Sequence, residues 1–248
     1  MLLNFLKRLI HFIKRQPFIR CLGRLPYLSK GYCDNEIYID PLWNHTLANS
    51  PEQIQYFQSI LNSNLVAMSF HEVVNLHRIV SRTNHLSGDL AECGSFHGGS
   101  ALIMAKANES KKPIHLFDTF TGIPEITADV DLLKVGDVKG SALDDVRNLL
   151  YEFNDLIRYH VGFFPETTLE IPLETKFSFV NLDMDVYEST KAGFEYFYPR
   201  MTRGGAIICH DYFSKSCPGV KKAVDEFFAD KPETLIDLWH TQIVMIKL

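Results

Sequence analysis

From residue 88 onward, short apolar runs alternate with stretches of helical periodicity. The runs Asp89–Cys93, Pro113–Phe117, Ile157–Val161, Phe177–Leu182 and Gly205–Cys209 are predicted strands. Phe177–Leu182 is nearly continuously apolar, as a strand covered on both faces should be. Helices are predicted over Ser100–Asn108, from a Ser141 cap to about Phe153, over Ser189–Tyr198 and over Pro218–Ala229. Such alternation predicts a parallel sheet of βα units. The closing segments Leu235–His240 and Gln242–Leu248 are separated by so little chain that they predict an antiparallel hairpin. Ahead of the sheet, Ser50-Pro51-Glu52-Gln53 opens a helix to about Asn62, with capping-box spacing and proline at the first helical position. Ser69 and Glu72 repeat the device before a helix ending near Thr83, read as an ordinary surface helix carrying His71 and His77, with His85 just beyond. The division expected is an N-terminal helical extension and cover over 1–87 and a ligand-binding α/β domain over 88–248.

Length and composition support one globular α/β domain: 248 residues, 46% hydrophobic and 22% charged, large enough to bury a core without disulfides. Five scattered cysteines without a CxxC pair argue against a disulfide framework or zinc ribbon and fit a reducing cytoplasm. The net charge of −5 is uneven. Residues 1–33 hold seven of the 25 basic side chains and no acid, leaving 18 basic against 30 acidic residues in the body, a poor nucleic-acid binder. Leu2, Leu3, Leu6, Leu9, Ile10 and Ile13 recur at helical spacing opposite Lys7, Arg8, Lys14 and Arg15. A basic amphipathic helix over residues 1–25 lies either on the inner membrane surface or, the favoured reading, on the domain or a second subunit of a homo-oligomer. No apolar run reaches the roughly 20 residues needed to span a bilayer.

The first strand runs into Glu92-Cys93-Gly94-Ser95-Phe96-His97-Gly98-Gly99-Ser100 and then a helix. Gly94 permits a tight turn, and Gly98-Gly99 would let a ligand approach a helix N-terminus. The spacing E-x-G-x-x-x-G departs from the dinucleotide G-x-G-x-x-G, which leaves room for a pyrophosphate. A ligand that lacks pyrophosphate and carries positive charge, as S-adenosylmethionine does, suits the Glu92 carboxylate. Asp118, 24 residues after Gly94 at the end of the second strand, suits a bidentate grip on ribose hydroxyls. His97 reads as solvent-facing or structural, and Cys93 and Cys209 as small core residues.

A third cluster carries more information. Asp183, Asp185 and Glu188 follow the fourth strand, and Cys209-His210-Asp211-Tyr212 ends the fifth. Adjacent parallel strands would bring Asp183, Asp185, His210 and Asp211 to one rim, where the acids repel unless cations or protons intervene. Oxygen ligands suit Mg²⁺, whereas a histidine favours Mn²⁺, Fe²⁺ or Zn²⁺. The bland alternative has Asp185 or Glu188 capping the next helix. The long acidic segment Thr121–Lys139 is a substrate lid or a loose surface loop, and residues 31–50, with Tyr32, Tyr38 and Trp43, are a second candidate cover.

Taken in order, five motifs resemble the macrocin O-methyltransferase family. They are Glu92–Ser100, Phe117-Asp118-Thr119-Phe120-Thr121-Gly122-Ile123-Pro124, Gly162-Phe163-Phe164-Pro165-Glu166-Thr167, Leu182–Ser189, and Gly204-Gly205 through Asp211-Tyr212. The resemblance covers about residues 88–228 and implies a Rossmann-like class I methyltransferase fold, a seven-stranded mostly parallel sheet with a C-terminal antiparallel hairpin. It implies S-adenosylmethionine as cofactor and a sugar, glycan or natural-product hydroxyl as acceptor. Glu92, Gly94, Ser95, Phe96, Gly98, Ser100, Asp118, Thr119, Phe120, Gly162, Phe163 and Asp183 would contact the cofactor. Asp183, His210 and Asp211 would hold a divalent metal, usually Mg²⁺, and Asp185 would be the general base. The family's usual Asp-Asp-Tyr reads His210-Asp211-Tyr212 here, which brings Mn²⁺ or another ion into consideration. Two rivals stand against this reading. A nicotinamide oxidoreductase requires the absent G-x-G-x-x-G. A catalytically degenerate methyltransferase-fold binding module in a glycan-assembly complex draws support from His210 and is opposed by the intact Asp183, Asp185 and Asp211.

Overall fold

Every residue of Phe177–Leu182 is buried, and the rest of the architecture is arranged around that strand. The computed structural model describes the backbone of residues 28–33 and 36–41, and residues 50–238 and 240–248 with their side chains. The expectations for residues 1–25 and for Tyr32, Tyr38 and Trp43 lie outside the described side chains.

Strands β1 (Leu28–Cys33) and β2 (Glu36–Pro41) pair antiparallel by themselves. Helices α1 (Pro51–Asn62) and α2 (Phe70–Thr83) follow, each with the capping box expected at Ser50/Gln53 and Ser69/Glu72. The main sheet then assembles from β3 (Asp89–Cys93), β4 (Ile114–Asp118), β5 (Ile157–Val161), β6 (Phe177–Leu182), β7 (Met201–Cys209), β8 (Leu235–Asp237) and β9 (Ile243–Ile246) in the order β5-β4-β3-β6-β7-β9-β8. The pairs from β5 to β7 are parallel, while β9 runs antiparallel to both β7 and β8. The chain builds outward from β3 to β5 and then returns to place β6 beside β3. The strand order thus reverses between β3 and β6, where open α/β sheets bind ligands.

Two apolar layers enclose the sheet. Leu90, Leu116, Phe179 and Ile208 pack under α1, α2 and α3 (Gly99–Ala107). Ala91, Phe117, Val180 and Ile207 pack under α5 (Tyr187–Phe197) and α6 (Pro218–Phe228). A register shift between Phe177 and Phe179 reverses the alternation, so Phe177 joins the second layer with Val180 and Leu182. The same irregularity explains why β7 starts at Met201 rather than Gly205: Met201 pairs with Phe177 before the shift.

Three local expectations are corrected. The helix α2 is not a surface helix: Val73, Val74, Leu76 and Val80 are fully buried, and the His77 ring packs edge-on against Phe57 at 5.2 Å. Ser141 does not cap α4 (Leu143–Leu149), which starts from Ala142 without a side-chain cap. The Ser141 hydroxyl pairs instead with Nδ1 of His97 at 2.8 Å, which makes His97 a structural tie between the glycine loop and the approach to α4. Neither Asp185 nor Glu188 caps α5, whose N-cap is Val186. Its first free amide is satisfied from a distance, because Asp131 Oδ1 accepts from Tyr187 N at 3.0 Å while Oδ2 accepts from Thr127 N at 2.7 Å.

Asp131 therefore fixes the long 121–139 segment to the start of α5. Replacing it with alanine should cost about 1 kcal/mol, the ordinary loss for a removed helix cap. Asp131→Asn, which keeps one acceptor oxygen, should recover part of it. Urea unfolding of both variants checks this, and an alanine variant as stable as wild type contradicts it.

Candidate active site

At the carboxyl ends of β3, β4, β6 and β7 the backbone closes on itself. Gly94 N donates to Phe117 O at 2.9 Å, Asp183 N to Cys93 O at 2.9 Å, and His210 N to Leu182 O at 2.8 Å. These bonds set the floor of a cavity of about 520 Å³, within the size range of small-molecule sites.

Gly94, Ser95, Phe96, Ser100, Asp118, Thr119, Gly162, Phe163, Asp183, Asp185, His210 and Asp211 all line it. Glu92, Gly98 and Phe120 do not. Gly98 and Gly99 serve close packing within the protein rather than ligand approach. A Cβ at Gly99 would stand 2.5 Å from Leu65 O, and one at Gly98 would stand 3.0 Å from Val146 Cγ1. Phe120 is buried in the core beneath the wall.

Asp118 organises the loop around it. Its Oδ2 accepts from Ser95 N at 2.6 Å and Phe96 N at 3.2 Å, and Oδ1 accepts from Phe120 N at 2.6 Å. Phe96 and Phe120 have φ of 48° and 55°, a conformation costly for an aromatic residue and secured here by those bonds. Three of the roughly four acceptor positions of the carboxylate are thus occupied, which leaves room for one further hydroxyl rather than a free bidentate grip.

Glu92 sits fully buried behind the wall, its Oε1 accepting from Asn181 Nδ2 at 3.0 Å across the β3–β6 pairing. Burial pushes its carboxyl up to about 8, with Asp183 and Asp118 adding to the shift and hydrogen bonds from Ser100 and Asn181 opposing it. Its carboxyl is bonded within the protein rather than exposed on the cavity wall.

The acidic cluster converges as expected. His210, only 6% exposed, has Nδ1 2.9 Å from Asp211 Oδ2 and 3.3 Å from Asp183 Oδ1. Its other nitrogen, Nε2, lies 3.5 Å from Glu72 Oε1 and makes no regular hydrogen bond. Burial alone would lower the His210 pKa, but Asp183, Asp211 and Glu72 together hold it well above the ordinary imidazole range. Asp185 lies beside them, its carboxyl raised well above the usual range by burial and by Asp211 and Asp183. Asp185 and Asp211 both adopt left-handed backbone, with φ of 63° and 62°, at the turns that aim their side chains. Asp183, His210 and Asp211 each offer a ligand atom within 4.8 Å of the others, as do Asp185, Asp211 and Cys217. The buried Nε2 beside a carboxylate, with Nδ1 facing two acids, fits a metal-binding histidine.

Several site residues escaped the sequence. Glu72 reads there only as a capping-box residue. One of its oxygens does cap Ser69 N at 2.7 Å, while the other accepts from Thr241 N at 3.1 Å and Thr241 Oγ1 at 2.7 Å and faces His210. Thr241, Ser214, Cys217 and Leu65–Met68 also reach the cavity from turns with no periodic signal. Ile123, Pro124, Leu133 and Val138 line it too, so the 121–139 segment is a cover of the cavity and not a loose loop.

This strand order and rim chemistry define the class I methyltransferase fold. The O-methyltransferase NovP superposes with a TM-score of 0.64 at 24% identity, over 74% of this chain and 82% of that one. The calicheamicin methyltransferase CalS11 gives 0.62 at 19% identity, over 80% and 93%. The family model described as macrocin-O-methyltransferase matches residues 68–239, and the chain belongs to that family. Among curated relatives, the demethyldecarbamoylnovobiocin O-methyltransferase of Streptomyces niveus is 30% identical over 160 residues, 59% of this chain and 60% of that protein. An 8-demethyl-8-(2,3-dimethoxy-alpha-L-rhamnosyl)-tetracenomycin-C 4'-O-methyltransferase of Streptomyces olivaceus is 31% identical over 144 residues, 52% of this chain and 55% of that protein. The chain thus spans little more than half the length of these relatives.

Because Glu92 has a higher pKa folded than unfolded, the folded state retains a proton that the unfolded state releases. Its contribution to stability is full below about pH 4.5 and declines as pH rises toward about 8, by up to ~1.4 kcal/mol per pH unit. Glu92→Gln should flatten that slope. Urea unfolding of both proteins at pH 5.5, 6.5 and 7.5 measures it, and parallel slopes would remove the buried acid as its source.

Proposed function

We propose that this chain is an S-adenosylmethionine-dependent O-methyltransferase that methylates a hydroxyl of a sugar, in a natural product or a glycan. The observation that carries the reading is one cavity flanked on one side by the Asp118-organised glycine loop and on the other by Asp183, Asp185, His210 and Asp211, in a member of the macrocin-O-methyltransferase family. The curated relatives are O-methyltransferases by name, and the Streptomyces olivaceus name describes a rhamnosyl-tetracenomycin substrate.

In this reading Asp118 accepts a ribose hydroxyl at its remaining position, and the loop amides it orients shape the nucleoside pocket. Gly94, Ser95, Phe96, Thr119 and Gly162-Phe163 provide the surrounding wall. Glu92 supports the wall from behind through Asn181 and Ser100. Asp185 would accept the acceptor hydroxyl proton, and bound S-adenosylmethionine would supply the methyl group, the C–S bond breaking as the O–C bond forms and S-adenosylhomocysteine leaving. Proton transfer of this kind contributes ~10²–10⁴-fold, and alignment supplies much of the rest. A divalent cation held by Asp183, His210 and Asp211, Mg²⁺ or Mn²⁺, would supply charge that acidifies the hydroxyl and favours ionised Asp185. Ile123, Pro124, Leu133 and Val138 keep water from the reacting atoms.

The expected location is the cytoplasm, which the free, buried Cys93, Cys209 and Cys217 suit. Among the described residues no helix is long and apolar enough to cross a membrane. Contact of residues 1–25 with a membrane surface or a second subunit belongs to the same proposal.

Calorimetry should show micromolar S-adenosylmethionine binding that Asp118→Ala abolishes. Asp185→Asn should retain that affinity and lower kcat by ~10²–10⁴ on a glycoside acceptor with a free hydroxyl. Near-normal turnover in Asp185→Asn would remove Asp185 from the base role. A folded protein that binds no S-adenosylmethionine, with or without Mn²⁺ or Mg²⁺, would overturn the enzyme reading in favour of the binding module.

A further inference from the structure

Glu72 approaches the site from α2, outside the βα units that supply the other acids. It is only 2% exposed, and it is immobilised: Ser69 N holds Oε2, while Thr241 N and Oγ1 hold Oε1. The His210 ring stands between this fixed carboxylate and the site, with Nε2 3.5 Å from Glu72 Oε1 and Nδ1 within 3.3 Å of both Asp183 and Asp211.

The two nitrogens therefore face different tasks. A carboxylate behind one ring nitrogen fixes the tautomer that carries hydrogen there, turns the other lone pair forward and makes it more basic. We propose that Glu72 is the positioning residue for His210, holding its Nε2–H so that Nδ1 joins Asp183 and Asp211 in a site that prefers a first-row transition ion such as Mn²⁺ or Co²⁺ over Mg²⁺. The donor set follows the same logic. Two carboxylate oxygens balance a dication, and one imidazole nitrogen adds affinity for transition ions that Mg²⁺, an oxygen-seeking ion, gains little from. This inference takes its cation site from the proposed function and deepens it.

The test uses the full chain, without cofactor or acceptor. Co²⁺ binding is followed by visible absorption, Mn²⁺ binding by electron paramagnetic resonance, and Mg²⁺ is added as competitor. Wild type should bind Co²⁺ and Mn²⁺ at least ~10-fold more tightly than Mg²⁺. Glu72→Gln should weaken Co²⁺ binding ~10–100-fold while S-adenosylmethionine affinity measured by calorimetry stays unchanged. His210→Asn should lose the preference over Mg²⁺. In the Co²⁺-loaded wild type, proton NMR in H₂O should show one strongly shifted, exchangeable imidazole N–H, which exchanges faster in Glu72→Gln and is absent from His210→Asn. If Glu72→Gln does not fold, the wild-type N–H signal and the His210→Asn selectivity decide. Wild-type Mg²⁺ affinity equal to that for Co²⁺, or no shifted N–H in the wild type, overturns the proposal. So does a folded Glu72→Gln with unchanged Co²⁺ affinity and N–H exchange. Absence of S-adenosylmethionine binding with ion preference intact would sink the enzyme reading and leave this one standing.

Discussion

A Cβ on residue 94 would stand 1.8 Å from the carbonyl oxygen of Asp183. No side chain fits there, and the φ of 85° at Gly94 is one that glycine adopts without strain. This contact lets the loop after β3 lie directly against the turn after β6, at the point where strand order reverses. The glycine loop and the acidic rim come from segments whose touching residues, Gly94 and Asp183, are 89 positions apart, yet they share one cavity because these two turns touch. With Asp183 N bound to Cys93 O across the same seam, the two halves of the site are held to one register. The remaining elements supply walls to a junction already fixed.

Charge is the second organising constraint. Four carboxylates, Glu72, Asp183, Asp185 and Asp211, surround or adjoin a single buried imidazole. Burial and their mutual repulsion raise the carboxyls of Asp183 and Asp185 above the usual range, and His210 opposes the shift. Such a group is costly to assemble, and the left-handed backbone at Asp185 and Asp211 adds strain to it. Costs of this kind concentrate where geometry serves chemistry rather than stability. At Glu92, by contrast, burial is the first cause of the raised carboxyl and the nearby acids are secondary.

The sequence made the sheet legible because its strands stand out as short apolar runs between helical stretches, and each early helix has a local start signal. Ser50 and Ser69 are recognisable as caps since their partners, Gln53 and Glu72, lie three residues away. The start of α5 was not legible, because the group that satisfies it, Asp131, lies 56 residues earlier. Ser141 misled for the related reason that a hydroxyl beside a helix start can find a better partner in space, here His97. Most of the rim was readable from motif order. Glu72 was hidden by having two roles: its local bond to Ser69 accounts for the residue type completely, and nothing in the chain advertises the oxygen that faces His210. The glycine run misled in another way, since Gly98 and Gly99 are small for Val146 and Leu65 and not for a ligand.

The double bond-acceptor role of Asp131 has a consequence for how the site can diversify. The same carboxylate anchors the cover of the cavity at Thr127 and the first turn of the helix that follows Asp185. Exposed side chains of the cover, such as Leu132 and Val135, at 68% and 63% exposure, can vary without disturbing this anchor. The length of chain between Thr127 and Asp131 cannot, because an inserted residue would pull the cap from α5 and disturb the turn that aims Asp185. Variation in this cover should therefore arise by substitution along it, while insertions collect beyond it.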